Sequence, residues 1–335
     1  MDPTLSVGID LGGTNARLQV FNDALHPIAQ ARQQIRGECT PEQVASTLAA
    51  LLTDCCRQAH LSPEHIRQVG VGLAGQLSAD GRRVLNAPNL GWRDVEVADL
   101  LERTLADQAH VRAPLHLFND LNALVAGEHL RGALVGLDDV LAVYVGTGVG
   151  GAIIAGGRLL EGAGNNAAEI GHVKVVPRGR RCGCGQRGCL EAYAGGLHLE
   201  TRVQEVLSAH PTLGALAASA NGAGLRLSAI DPVAADHPPL NDLWEETSDL
   251  LALSLANACT LLNPAALLLG GGVLEHCPYL HRLTLDKTLP LVLEVARRDL
   301  TPLTPTLGEE AGTLGAASMA ALRQAKNTPQ SHAQT

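Results

Sequence analysis

The stretch Leu5-Ser6-Val7-Gly8-Ile9-Asp10-Leu11-Gly12-Gly13-Thr14-Asn15-Ala16-Arg17-Leu18-Gln19-Val20-Phe21 decides the fold. Leu5, Val7 and Ile9 alternate with smaller or polar residues, the Gly-Gly turn interrupts them, and a second alternating run follows from Leu18 to Phe21. That pattern predicts a strand, a tight turn and a returning strand, a β-hairpin. A strand where a helix would be needed excludes a dinucleotide fingerprint. The lack of Gly-Lys-Ser/Thr excludes a Walker loop. Glycines let consecutive backbone N–H groups approach a phosphate, and Asp10 ends its strand at a place suited to a Mg²⁺ ion bridging nucleotide phosphates.

The opening is echoed near mid-chain. Val143-Tyr144-Val145-Gly146-Thr147-Gly148-Val149-Gly150 begins 136 residues after Val7. At that offset Ile9 matches Val145, Gly12 matches Gly148 and Leu18 matches Ile154. A Gly-rich turn between strands can be only a hairpin. Two at corresponding positions, with a carboxylate before the first alone, point to a duplicated α/β domain with two phosphate loops.

Outward from these turns, Thr40-Pro41-Glu42-Gln43 has the form of a capping box ahead of Val44, Leu48, Leu51 and Leu52 at helical spacing. Val69–Leu73 reads as a buried strand and Gly75–Trp92 as a loop region. Val97–Leu105 reads as a helix, Leu115–Phe118 as a strand and Leu121–Leu130 as a helix. Leu243–Leu262 is a long helix stopped by Asn263-Pro264. Ala266–Leu269 is a strand running into Gly270-Gly271-Gly272, and Leu314–Leu322 is a final amphipathic helix.

Composition bounds the function. With 335 residues, two domains are expected. A net charge of −9 and 2% aromatics argue against a nucleic-acid partner. No apolar run is long enough for a membrane helix, and the start lacks the basic region of a signal peptide. The expectation is a cytoplasmic protein that binds neither nucleic acid nor membrane.

Eight cysteines in such a chain do not form a disulfide scaffold. Three crowd into Cys182-Gly183-Cys184-Gly185-Gln186-Arg187-Gly188-Cys189, and His172 precedes them by ten positions. A Cys₃His set suits tetrahedral Zn²⁺, and four protein ligands leave no open position, so the zinc is read as structural. Arg178, Arg180, Arg181 and Arg187 in the same loop favour thiolates. Glu169 and Glu191 flank the loop, either as surface residues or as acceptors for sugar hydroxyls. Asn119-Asp120 stands where a strand gives way to a helix, as an N-cap or as a general base at the carboxyl end of a strand.

These motifs together, with Glu169-Ile170-Gly171-His172 and Cys182-x-Cys184-Gly185-x-x-Gly188-Cys189-x-Glu191 the most specific, resemble the ROK family of repressors, open reading frames and sugar kinases. The resemblance spans residues 5–323 and is strongest to the bacterial glucokinases of that family. It implies an α/β actin-like, hexokinase-type ATPase fold, with two RNase-H-like domains around a cleft. The domains are expected at 1–118 and 119–311, the second carrying the zinc loop 172–189. A C-terminal helix near 312–325 would pack back on the first domain, ahead of a disordered tail at 326–335.

By position, the resemblance places Asp10, Gly12, Gly13, Thr14 and Asn15 at the phosphates and Mg²⁺ of ATP. Gly146, Thr147, Gly148 and Gly150 form the second phosphate loop, and Gly270, Gly271 and Gly272 lie against the adenosine. Asn89, Asn119, Asp120, Glu169, His172 and Glu191 would hold a hexose, with Asp120 as general base for its 6-hydroxyl. His172, Cys182, Cys184 and Cys189 would hold Zn²⁺. Two departures fall on the acceptor side: Ala168 replaces the more usual glycine, and Gly75-Gln76-Leu77 is a loose version of a Pro-Gly loop. The resemblance implies glucose as acceptor, with N-acetylglucosamine or N-acetylmannosamine as alternatives, and a homo-oligomer, dimer or tetramer. A non-catalytic sugar-responsive regulator is the remote alternative. The first strand begins at Leu5 and leaves no room for a preceding helix-turn-helix, and Asp10 and Asp120 are retained.

Overall fold

The computed structural model describes residues 4–35, 39–213 and 226–327. The chain divides into two compact units, Met1–Gly136 with Glu161–Ala167 and Thr306–Thr335, and Leu137–Leu160 with Ala168–Pro305.

In the first unit the opening hairpin is β1 (Leu5–Leu11) and β2 (Asn15–Phe21), followed by β3 (Pro27–Gln34). Helix α1 (Pro41–Gln58) starts with the expected capping box: Gln43 N donates to the Thr40 hydroxyl, and the Gln43 side chain accepts from Thr40 N. β4 (Ile66–Leu73) then runs parallel to β1. The stretch read from sequence as loop instead builds a small three-stranded sheet, β5 (Gln76–Leu77), β6 (Val84–Ala87) and β7 (Trp92–Val95), with a 3-10 turn at Pro88–Leu90. Its strands are too short to show alternation, which is why the pattern missed them. Helix α2 (Val97–Gln108), β8 (Leu115–Asn119) and α3 (Asp120–Arg131) complete this part.

The second unit opens on β9 (Val140–Val145), β10 (Val149–Ala155) and β11 (Arg158–Leu159). After the cysteine loop come α4 (Glu191–Ala194), α5 (Gly196–Ala209), α6 (Leu227–Ala234) and α7 (Pro238–Leu262). Asn263 ends α7 in the left-handed conformation at φ 48°, one residue before Pro264. β12 (Ala266–Gly270), α8 (Gly272–His276), α9 (Pro278–Leu291), α10 (Glu294–Arg297) and β13 (Thr301–Leu303) follow, and α11 (Glu310–Asn327) belongs to the first unit.

The duplication read from the glycine turns is visible in the topology. The sheets run β3-β2-β1-β4-β8 and β11-β10-β9-β12-β13, the same order of hairpin, central strand and two parallel neighbours. Each has its own core of Leu, Val, Ile and Ala, one built on Val7, Ile9, Leu48 and Val71, the other on Val143, Leu251, Leu255 and Leu267.

Helix α11 lies on β1 and β4 because the sheet carries no side chains there. A Cβ on Gly8 would fall 1.9 Å from the Thr313 carbonyl oxygen. Helix α3 packs on α11 in the same unit, so this unit's first stretch of chain runs to Gly136, past the boundary placed at residue 118 from sequence. The physical reason is glycine again: Gly315 brings α11 onto the Ala123 carbonyl of α3. The tail expected from residue 326 is helix as far as Asn327, and its remainder lies outside the described residues.

Candidate active site and metal centre

In the first unit the expected residues gather at the carboxyl ends of three neighbouring parallel strands. Leu11 of β1 pairs with Leu73 of β4, and Leu73 with Asn119 of β8, so the segments that leave these strands emerge side by side. This is where ligands collect in parallel α/β sheets. Asn89 sits on its 3-10 turn against Gly13, whose missing side chain admits it; a Cβ there would lie 2.8 Å from the Asn89 Cβ.

Asn119 and Asp120 divide their work. The Asn119 side chain is the N-cap of α3, accepting from Leu121 N at 3.0 Å and Asn122 N at 3.2 Å. Asp120 is the first helical residue, and one of its carboxylate oxygens accepts from Leu121 N at 2.9 Å. Because Asn119 is the N-cap, the Asp120 carboxylate is held in the first turn of the helix, at the end of β8.

Asp10 has a partner that the sequence reading missed. Arg17 Nη1 donates to Asp10 Oδ2 at 3.2 Å, and Arg17 also pairs with Glu309. The hairpin register sets Arg17 directly across from Asp10, so once the turn at Gly12–Thr14 was recognised, counting residues would have found it. Burial pushes the Asp10 carboxyl up, Arg17 pulls it back in part, and it remains above the usual carboxylate value.

In the second unit the other glycine runs meet at the ends of β9 and β12. Gly146 and Thr147 carbonyls accept from Gly196 N and Leu197 N at the start of α5. Gly271, at φ 93°, backs onto the Val145 carbonyl, where a Cβ would lie 2.6 Å away. Beside Gly270 and Gly272 opens a cavity of about 650 Å³ with Leu269, Leu274, Pro278, Leu285 and Pro305 on its apolar side and Glu275, His281, Arg282, Asp286 and Thr304 on its polar side.

The metal set also comes together. The ligand atoms of His172, Cys182, Cys184 and Cys189 all lie within 4.8 Å of one another. Cys182 Sγ is 3.7 Å from His172 Nδ1, and Cys184 Sγ is 3.7 Å from Cys189 Sγ. Ligands about 2.3 Å from a central ion at tetrahedral angles would be about 3.8 Å apart, so these residues fit Zn²⁺. Burial pushes the Cys182 thiol well up. A buried thiol that resists ionisation alone, as Cys182 does, is what a divalent cation deprotonates on binding. Lys174, also missed from sequence, donates to Cys189 Sγ at 3.0 Å.

Glu169 lies 3.9 Å from His172 Nε2. Burial pushes its carboxyl up, against the pull of His172 and with the push of Glu191. Glu191 opens α4 and reaches two ways: Oε1 faces Cys182 Sγ at 3.4 Å, and Oε2 accepts from Val149 N at 3.2 Å.

The whole chain has relatives. The ROK family profile matches residues 6–323. A glucokinase of Streptomyces coelicolor is 31% identical over 329 residues, covering 94% of this chain and 97% of the relative. The crystal structure of a ROK family glucokinase from Streptomyces griseus in complex with glucose and AMPPNP is 30% identical, with a TM-score of 0.77 over 95% of this chain and 99% of that one. A ROK hexokinase from Thermus thermophilus is 28% identical, with a TM-score of 0.80 over 96% of this chain and all of that one, 100%. The fold is the actin-like, hexokinase-type ATPase fold. With its paired sheets, its glycine turns and a family match over nearly its whole length, this chain belongs to the ROK family.

Proposed function

We propose that this protein transfers the γ-phosphoryl group of ATP to the 6-hydroxyl of glucose, with Asp120 as general base. The chain is a hexose kinase of its family. The choice of glucose rests on the glucokinases among its full-length relatives. The observation that carries the assignment of the base is the division of labour at β8–α3: Asn119 caps the helix, and Asp120 presents a carboxylate at the strand end.

A sugar hydroxyl is a weak nucleophile at neutral pH. A carboxylate that accepts its proton as the O–P bond forms contributes about 10²–10⁴-fold. Asp120 takes that proton. Asp10 holds the Mg²⁺ of MgATP, and the backbone N–H groups of Gly12–Asn15 and Gly146–Gly150 receive the phosphates and spread the charge of the transferring group. The cavity beside Gly270–Gly272 takes the adenine base against its apolar side. Asn89, Asn119, Glu169, His172 and Glu191 accept from and donate to the hexose hydroxyls. His172, Cys182, Cys184 and Cys189 would hold Zn²⁺ in a closed, structural site that would fix the loop carrying His172.

A coupled assay of ADP release against glucose, mannose, fructose, N-acetylglucosamine and N-acetylmannosamine tests the acceptor, with glucose expected to give the highest kcat/KM. Asp120→Asn should lower kcat by about 10²–10⁴-fold with the melting temperature retained. Near-native turnover in that variant would remove Asp120 from the role of base.

A further inference from the structure

Beyond the acceptor and nucleotide residues, the first unit carries a cavity of about 450 Å³ over β2 and β3 at the start of α11. Its floor is made of consecutive cross-strand pairs, Arg17 with Arg32 and Gln19 with Gln30. In the sheet order β3-β2-β1-β4-β8 it lies at the opposite side from β8, which carries Asn119 and leads into Asp120.

The floor is pre-arranged. The buried Thr313 hydroxyl meets both Gln19 Oε1 and the Glu310 carbonyl oxygen, and Gln19 Nε2 donates to Gln30 Oε1 at 3.3 Å. With its Oε1 accepting from Gln19, Gln30 offers its N–H groups as donors. Arg32 is exposed, and its guanidinium makes no hydrogen bond or ion pair among the described residues. Glu309 and Glu310 line the opposite rim and supply acceptors. Two guanidinium groups face two carboxylates, so the lining is charge-balanced: an anion would meet Glu309 and Glu310, a cation Arg17 and Arg32. Planar amides, guanidiniums and carboxylates arranged as adjacent donors and acceptors match a neutral molecule whose every polar group both donates and accepts. The volume lies in the usual range for small-ligand sites, roughly 300–1,000 Å³.

We propose that this cavity is a second carbohydrate site, binding a neutral hexose apart from the acceptor. Its occupant is coupled to the phosphate loop through Arg17, which reaches Glu309 on the cavity rim and Asp10 on the other side. A sugar that draws on Arg17 or Glu309 changes how Arg17 holds Asp10, and so changes the affinity for MgATP.

Equilibrium dialysis with radiolabelled glucose tests this on the wild type and on Arg32→Ala, Gln30→Ala and Asp120→Asn. Arg32 and Gln30 are exposed on the edge of the sheet and have no part in the transfer step. The expected result is one equivalent of bound glucose that Arg32→Ala and Gln30→Ala each weaken by about tenfold or more and Asp120→Asn leaves intact, with turnover at low glucose unchanged in the first two. Saturating that equivalent should shift the KM for MgATP in the wild type and not in Arg32→Ala. Absence of any glucose equivalent sensitive to Arg32 overturns the proposal. Failure of glucose as acceptor would instead appear in the coupled assay, leaving the Arg32-dependent equivalent in place.

Discussion

Glu191 Oε2 accepts a hydrogen bond from Val149 N at 3.2 Å, tying the residue that follows the cysteine loop to the second glycine turn. The same oxygen occupies the space that a side chain on Gly148 would need: a Cβ there would lie 2.4 Å from it. Gly148 is therefore required by the carboxylate lodged against it. Glu191→Gln keeps an oxygen for Val149 N but loses the charge, whereas Glu191→Ala leaves that N–H without its partner. Removing a hydrogen bond to a charged acceptor costs about 1.5–3 kcal/mol, so Glu191→Ala should raise the KM for ATP by about tenfold or more. Glu191→Gln should raise mainly the KM for the sugar. Steady-state kinetics with each substrate varied check this, and equal effects of both variants on ATP would break the link.

Asp10 is placed for binding at a cost to the ligand-free fold. Its carboxyl sits above the unfolded value of 3.8 because burial outweighs Arg17. A carboxyl raised on folding stabilises the protein fully only below its unfolded value, and that contribution disappears as pH rises through the folded one. Asp10→Asn has no such titration. At neutral pH the ligand-free variant should melt above the wild type, and the difference should vanish in acid as pH falls below 3.8. Turnover should collapse at every pH, because the neutral amide holds Mg²⁺ poorly. Melting curves across pH and a kcat measurement check both halves.

Cys184 is the exposed member of the metal set. Serine there should release the ion, since structural zinc sites contribute roughly 10–16 kcal/mol of apparent binding energy in small peptides and depend on every thiolate. Elemental analysis should find one zinc per chain in the wild type and a clear deficit in Cys184→Ser, with a lower melting temperature and a higher KM for the sugar. A wild type purified without chelators and free of zinc would contradict the metal centre.

Gly8 sits where α11 crosses β1, with the Thr313 carbonyl in the place of a side chain. Gly8→Ala must push the helix off the sheet, and overpacking of this kind costs about 1–3 kcal/mol. The variant should melt at lower temperature and unfold at lower urea. A substitution such as Arg93→Ala on exposed β7 should do neither.

Much of this molecule is written in local pattern. Alternation around Gly12-Gly13 set the hairpin, Thr40 and Gln43 set the start of α1, and Asn263-Pro264 set the end of α7, because each depends on a few adjacent residues. The spacing of His172, Cys182, Cys184 and Cys189 marked this cluster of ligand-type side chains for the same reason: three of its four members share one short loop. The duplication showed in two glycine turns alone, and the matching strand orders extend it to both units.

Other features have no local signature. Arg17 and Glu309 are 292 positions apart, and Glu191 and Val149 are 42 apart. Nothing beside either residue announces its partner, since a carboxylate is equally content with water until packing removes it. The short strands of Gly75–Trp92 and the docking of α3 on α11 are likewise products of what packs against them. Sequence determined which backbone turns, caps and ligand spacings this protein has. Only the tertiary structure decided which charges and amides meet, because that choice is made by burial and by close approach at Gly8, Gly148 and Gly315.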